Sequence, residues 1–91
     1  MTKVRNMEST KGNLVPNQFV IRTNDGVYFQ SYQTIIAFVP FEGKIELDAI
    51  MWDYSRTTGK YRNLFLRETK EETEKKIADG TYILTNLNKK G

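Results

Sequence analysis

Between residues 17 and 48 the sequence alternates short apolar runs with turn-forming residues, a pattern typical of β-strands joined by tight turns. Phe19 and Ile21 alternate with their neighbours, and Asp25 with Gly26 supplies the turn chemistry that follows them. Residues 34–39 are apolar on both faces, as expected of a central strand. The four predicted strands cover residues 18–22, 27–30, 34–39 and 44–48.

A first helix is predicted beyond residue 55, where the period of the apolar positions changes. Tyr61, Leu64 and Phe65 fall at i, i+3 and i+4, so they form one apolar stripe against the sheet. Ser55 or Thr57 can cap the N-terminus of this helix, because a side-chain oxygen there accepts from a free backbone N–H. The basic residues of the segment are then predicted to point away from the sheet.

A second helix is predicted to begin at Thr69, because Thr69 and Glu72 have the spacing of a capping box. Acidic residues come first in this segment and lysines follow, an order that suits the helix dipole. Gly80 is well placed as the left-handed residue that ends the helix. Residues 81–87 are predicted to return to the sheet as its last strand.

These elements predict a single small α+β domain at residues 17–88. Its sheet is expected to be antiparallel, with four to five strands and two short helices on one face, in the order ββββααβ. Residues 1–16 are polar and form either an N-terminal arm or a weak edge strand, and residues 89–91 form a basic tail. Exposed strand edges leave a homodimer possible.

Composition excludes several classes of function. The chain of 91 residues contains no Cys and no His, which removes disulfides, thiolate zinc sites, cysteine nucleophiles and histidine-based catalysis. No apolar run is long enough to cross a membrane and the first residues are unlike a signal peptide, so we expect an intracellular protein without membrane contact. The formal charge of +3 is only mildly basic. We therefore predict no enzymatic activity, no cofactor and no metal.

Residues 52–66 are the densest in side chains that can bind a partner. They combine aromatic residues, hydroxyls and cations at a predicted strand-to-helix junction, and a basic face with aromatic neighbours suits either an acidic protein surface or nucleic acid. The alternative is an ordinary solvated helix with its aromatic neighbours buried in the core. The predicted partner-binding residues are Trp52, Tyr54, Arg56, Lys60, Arg62 and Arg67.

Two further arrangements have simpler explanations. The hydroxyls at the start of the first helix can bind an anion, but N-capping by the same groups explains them better and no Walker loop is present. Glu46, Asp48 and Asp53 can be imagined as a carboxylate site, yet nothing in their spacing brings them together. The first two are better explained as charges on the outer face of a strand.

Parts of this sequence resemble a group of small uncharacterised proteins encoded by bacteriophages and related mobile elements. The resemblance runs from about residue 19 to residue 87, and its most specific part is a Tyr-Ser-x-Thr-Thr-x-Lys block that leads into Phe-Leu. The residues that carry it are Ser31, Tyr32, Ile36, Ala37, Trp52, Asp53, Tyr54, Ser55, Thr57, Thr58, Lys60, Tyr61, Arg62, Asn63, Phe65 and Leu66.

This resemblance implies a phage accessory protein that works in the cytoplasm of a bacterial host. We expect it to bind a host or anti-phage defence protein, for example a restriction or CRISPR nuclease, and to inhibit or redirect it by occlusion. The alternative is a small nucleic-acid-binding protein that acts in phage replication or transcription. Alanine at Arg56 and Arg62 is expected to weaken binding of the partner without changing the fold.

Overall fold

The computed structural model describes residues 2–88, so the predicted basic tail at 89–91 lies outside the described residues. Within these residues, six strands and two helices follow one another. The elements are β1 (Lys3–Glu8), β2 (Leu14–Arg22), β3 (Gly26–Ser31), β4 (Thr34–Pro40), β5 (Glu46–Asp48), α1 (Arg56–Leu66), α2 (Lys70–Ala78) and β6 (Ile83–Thr85).

All six strands lie in one sheet, in the order β1-β2-β3-β4-β5-β6. The first five strands pair antiparallel with their neighbours, whereas β6 pairs parallel to β5. A parallel pair needs a crossover connection of a dozen residues or more, and the segment that contains α1 and α2 supplies it. The α+β class is confirmed, but the prediction of four to five antiparallel strands is wrong. The sheet is mixed and has six strands, because part of the N-terminal segment forms β1.

One core lies between the helices and the sheet. Phe29 in β3 and Leu47 in β5 are fully buried there, and Tyr61 of α1 belongs to the same cluster. Between Phe29 and Gln30 the register of β3 against β4 slips by one residue. This bulge adds a residue to β4 and allows Ile36 and Ala37, which are consecutive, both to be fully buried.

The face that α1 turns towards the core differs from the prediction at two positions. Tyr61 and Phe65 pack on the core as expected, and the Phe65 ring stacks on Phe29 with centroids 5.6 Å apart. The buried residues of α1 also include Thr58 and Gly59. At about 100° per residue, position 62 lies within the arc from Tyr61 to Gly59 and position 64 lies outside it. Arg62 is buried and Leu64 is exposed accordingly.

Local signals correctly located both ends of α2. Thr69 accepts from the backbone of Glu72, and Glu72 accepts from the backbone of Thr69, so the predicted capping box is confirmed. Gly80 follows the helix at φ 83°, the left-handed conformation expected there. Neither helix of the described residues is long and apolar enough to cross a membrane.

The segment after β6 is attached to the edge of β4. The side chain of Asn88 donates to the backbone oxygen of Ile35 at 2.9 Å and accepts from its N–H at 2.7 Å. Asp48 holds this segment from the other side, accepting from the N–H of Leu87 and from the Asn88 amide. Burial alone raises the pKa of Asp48, but these bonds and two from the backbone of residues 50 and 51 outweigh it and lower the pKa.

Candidate interaction surface

The N-terminus of α1 is anchored on the sheet through hydroxyl groups. Ser55 is the N-cap, and its Oγ accepts from the N–H of Thr58 at 3.1 Å. Thr58 is buried, and its Oγ1 lies 3.1 Å from the Oγ of Ser31 in β3. N-capping thus accounts for the hydroxyls at the start of α1, and it fixes the residues before and after Ser55 relative to the sheet.

Arg62 does not belong to an exposed basic face, contrary to the prediction. Its side chain is 1% exposed, and its guanidinium donates to Asp53 Oδ1 at 3.0 Å, to the Trp52 carbonyl at 2.8 Å and to Asn63 Oδ1 at 3.0 Å. The guanidinium carbon also lies 5.0 Å from the centre of the Trp52 ring. Arg62 therefore connects α1 to the segment before it.

Asp53 joins this buried cation to a second one at the surface. Its other carboxylate oxygen lies 2.7 Å from the Lys70 ammonium at the start of α2. Burial alone raises the pKa of Asp53, but the hydrogen bonds and charges of Lys70 and Arg62 outweigh it and lower the pKa. The imagined carboxylate site is not formed, because Asp53 pairs with cations, Asp48 accepts backbone N–H groups and Glu46 lies on the outer face of β5.

Three of the predicted cations do share an exposed face. Arg56, Lys60 and Arg67 are exposed, and at 100° per residue their positions lie within about 40° of one another around α1. No ion pair between the described residues involves any of the three. We call Arg56, Lys60 and Arg67 the basic stripe, which runs the length of the helix.

The two predicted aromatic residues have different surroundings. Tyr54 is 66% exposed, immediately before the N-cap of α1. Trp52 is half-buried and packs against the core with Arg62 over its ring. Tyr54 is thus free to contact a partner, whereas Trp52 packs between the core and Arg62.

A cleft beside Tyr54 was not predicted from the sequence. Its volume is about 640 Å³, and Tyr32, which is 55% exposed, forms part of its wall with Tyr54. Asn17 and Tyr32 both have positive φ, 66° and 57°, and the Tyr32 N–H donates to the Asn17 carbonyl at 2.6 Å. The residues that line this tyrosine cleft are Asn17, Phe19, Ser31, Tyr32, Gln33, Thr34, Ile36, Met51, Tyr54 and Thr58.

Tyr54, in the wall of the cleft, comes two residues before Arg56, the first residue of the basic stripe. Periodicity could not reveal the cleft, because Asn17 and Tyr32, the two cleft residues with left-handed conformations, lie outside the predicted strands. The one sequence signal for Tyr32 was its place in the resemblance. Among the described residues no group of three or more carboxylates is placed to hold a metal ion.

Comparison with known proteins supplies a family but no activity. Residues 2–80 match a family described as a family of unknown function (DUF8033). The matched span includes both helices and β1 to β5. No curated protein and no solved structure shows a significant match. The predicted likeness to an uncharacterised family is confirmed, whereas the phage origin and the Tyr-Ser-x-Thr-Thr-x-Lys block as its signature stay predictions.

Proposed function

Because the chain belongs to this family of unknown function (DUF8033), its role must be inferred from its surface, and we propose that it is a non-enzymatic binding protein. The observation that carries the proposal is the junction of the tyrosine cleft with the basic stripe. Tyr and Arg are the residue types enriched at the centres of protein interfaces, and Tyr54 and Arg56 are both exposed and only two residues apart in the chain. The cleft can take one side chain of the partner as an anchor.

The partner of this surface is a protein that presents acidic groups around an apolar or aromatic anchor. The anchor enters the cleft between Tyr32 and Tyr54, and the acidic groups face Arg56 and Lys60. Following the resemblance to phage accessory proteins, the proposed target is a host or anti-phage defence protein in the bacterial cytoplasm. Inhibition then requires only that the bound domain covers a surface that the target needs for its own activity.

Affinity capture with paired variants tests this proposal. Tagged protein is incubated with bacterial lysate, with and without nuclease treatment, and bound proteins are identified by mass spectrometry. We expect a stoichiometric protein that is lost with Tyr54→Ala and with the double variant Arg56→Ala/Lys60→Ala. A hot-spot tyrosine contributes about 2 kcal/mol or more, so Tyr54→Ala should weaken binding roughly 30-fold.

The matched control is the double variant Lys11→Ala/Lys75→Ala, which removes two exposed cations elsewhere. It should retain the captured protein. If both double variants lose the protein equally, net charge rather than this surface governs binding, and the proposal is wrong. Capture that disappears on nuclease treatment points to nucleic acid instead.

Nucleic acid is the second candidate because of the spacing of the stripe. Arg56 and Lys60 are four residues apart, which at 1.5 Å per residue is about 6 Å along the helix, close to the separation of neighbouring phosphates in a single strand. Binding by phosphate contacts releases counterions, so affinity for a single-stranded oligonucleotide should fall steeply as salt rises. With two or three phosphates neutralised, the slope of log K against log salt should be roughly −1.5 to −2.

A further inference from the structure

Four cations line one cavity beside α1, and a single carboxylate accompanies them. The cavity has a volume of about 460 Å³ and is lined by residues of α1 and by the first residue of α2. Small-molecule sites in proteins have volumes of this order. The charged residues of this cationic cavity are Asp53, Arg56, Lys60, Arg62 and Lys70, which leave an excess of three positive charges.

Asp53 neutralises only part of this charge. Its carboxylate is shared between the Arg62 guanidinium at 3.0 Å and the Lys70 ammonium at 2.7 Å, so one carboxylate serves two cations. The Arg62 side chain is 1% exposed, and its Nε–H has no hydrogen-bond partner among residues 2–88. A buried cation whose donors are incompletely paired is costly, and an anion nearby reduces that cost. This part of the cavity is therefore short of negative charge.

The other two cations of the cavity have no carboxylate partner. Arg56 and Lys60 are both exposed, and neither forms an ion pair within the described part of the chain. The Lys60 ammonium lies 5.4 Å from the centre of the Tyr61 ring, a contact that leaves its positive charge in place. An anion in the cavity can therefore bind donors from both helices, because Lys70 faces it from α2.

Gly59 lies in the wall of the cavity, in the interior of α1, where glycine destabilises a helix relative to alanine. Its φ is not positive, so the backbone does not require glycine there. An added Cβ would lie 3.6 Å from Asp53 Oδ1 and 3.7 and 3.8 Å from the terminal nitrogens of Arg62, which are ordinary contacts. Packing therefore tolerates alanine, but its methyl group would cover the guanidinium. Glycine lets a ligand approach the buried cation more closely than alanine would.

We propose that the cationic cavity binds a phosphate group, either as free phosphate or on a small phosphorylated molecule. A phosphate ester carries a charge of about −1.5 to −2 near neutral pH, which offsets the excess positive charge better than a carboxylate does. Its oxygens accept hydrogen bonds from several directions, and Lys and Arg are the side chains that bind phosphate most often. The oxygens accept from Arg56, Lys60 and Lys70, and the Arg62 guanidinium adds its charge from the buried side.

This inference goes beyond the proposed function and does not depend on it. Arg56 and Lys60 also belong to the basic stripe, but Gly59, Arg62 and Lys70 do not. Phosphate binding is measured on the purified chain, without any partner protein. A chain that binds no phosphate can still capture a protein through the tyrosine cleft, and a chain that captures no protein can still bind phosphate, so the two proposals fail separately.

An NMR titration in phosphate-free buffer tests the site, with inorganic phosphate and adenosine monophosphate as the two probes. We expect inorganic phosphate to bind with a dissociation constant of about 1 mM or lower. The backbone amide shifts should change most in α1 and at Lys70. Equal affinity for the two probes means that the phosphate group alone is recognised, whereas tighter binding of adenosine monophosphate assigns the site to a phosphorylated molecule.

Two variants change the cavity while the fold is kept. Lys70→Gln removes a donor and leaves Asp53 with one cation fewer, so phosphate affinity should fall about tenfold or more. Gly59→Ala should weaken binding about fivefold, because its methyl group keeps the phosphate farther from the guanidinium. This variant is expected to stabilise α1, so unfolding cannot explain its loss of affinity.

The matched control is Lys75→Gln, which makes the same change of charge at an exposed position of α2 outside the cavity. It should bind phosphate as the wild type does. Absence of binding to either probe at about 10 mM, ten times the expected dissociation constant, overturns the proposal. Equal weakening by Lys70→Gln and Lys75→Gln also overturns it, because net charge alone would then attract the anion. So does an affinity that Lys70→Gln and Gly59→Ala both leave unchanged.

Discussion

Replacing Arg62 by alanine should destabilise the domain strongly, although the same change at Arg56 should not. The Arg62 guanidinium makes three hydrogen bonds, to Asp53, Trp52 and Asn63, and lies over the Trp52 ring. At about 1 kcal/mol for each bond, with about 0.5 to 1 kcal/mol for the ring contact, these interactions contribute roughly 4 kcal/mol. Part of this offsets the cost of removing the cation from water, so we expect a net loss of about 2 to 4 kcal/mol.

Urea unfolding measures this loss. A chain of this length has a free energy of unfolding of roughly 5 to 14 kcal/mol, so the change is a large share of the total. With a slope of about 1 to 2 kcal/mol per molar urea, the midpoint should fall by roughly 1 to 4 M. Fluorescence of Trp52, the single tryptophan, and circular dichroism together follow unfolding, because the substitution itself alters the surroundings of Trp52.

Arg56→Ala is the matched control, since Arg56 is an exposed cation on the same helix. It should shift the free energy of unfolding by no more than about 0.5 kcal/mol. Equal midpoints for the two variants would mean that Arg62 is solvated in solution, and the account of its burial would be wrong. The expectation that Arg56 and Arg62 can both be replaced without changing the fold is therefore revised: only Arg56 suits a binding test.

Three further predictions concern stability. Burial raises the pKa of Glu68, but hydrogen bonds, above all from Lys76, outweigh burial and lower the pKa. The contribution of Glu68 to the free energy of unfolding is therefore complete above the usual pKa of 4.5, and it is lost as pH falls through the pKa in the folded protein. Glu68→Gln should therefore flatten the acid side of a plot of urea midpoint against pH; an unchanged slope contradicts this. Gly59→Ala should raise the free energy of unfolding by about 0.5 to 1 kcal/mol, measured by thermal melting, because α1 is regular there and a Cβ meets nothing closer than 3.6 Å. Gly26→Ala should lower it by about 2 kcal/mol or more in the same assay, because its Cβ would fall 2.4 Å from the Val39 carbonyl oxygen; equal melting temperatures for the two alanine variants would refute both.

The features that could be predicted from the sequence are those that depend on neighbouring residues. The capping box at Thr69 and the left-handed Gly80 follow from spacing and backbone chemistry within one turn, and both are confirmed. The strands between residues 17 and 48 were located for the same reason, since alternation and turn residues are local. Their exact bounds differ, and β2 begins earlier, at Leu14.

The features that could not be predicted depend on contacts between distant residues. The parallel pairing of β5 with β6 joins strands separated by both helices, and each strand has only three residues. The inward position of Arg62 depends on Asp53 and the Trp52 carbonyl, which compensate a cation that composition alone places outside. Positive φ at Tyr32, a bulky residue, is uncommon and has no signature in the apolar pattern.

The side chain of Asn88 bonds to the edge of β4 as one residue of a neighbouring strand would. β5 pairs with β4 only at Ala37 and Phe38, so the peptide groups of Ile35 would otherwise form a free edge on the most apolar strand of the sheet. The carboxamide, which both donates and accepts, completes that edge. A chain shortened to residue 87 would offer the exposed edge to strands of other molecules, so truncation at this end is expected to cause aggregation by strand addition while the core stays folded.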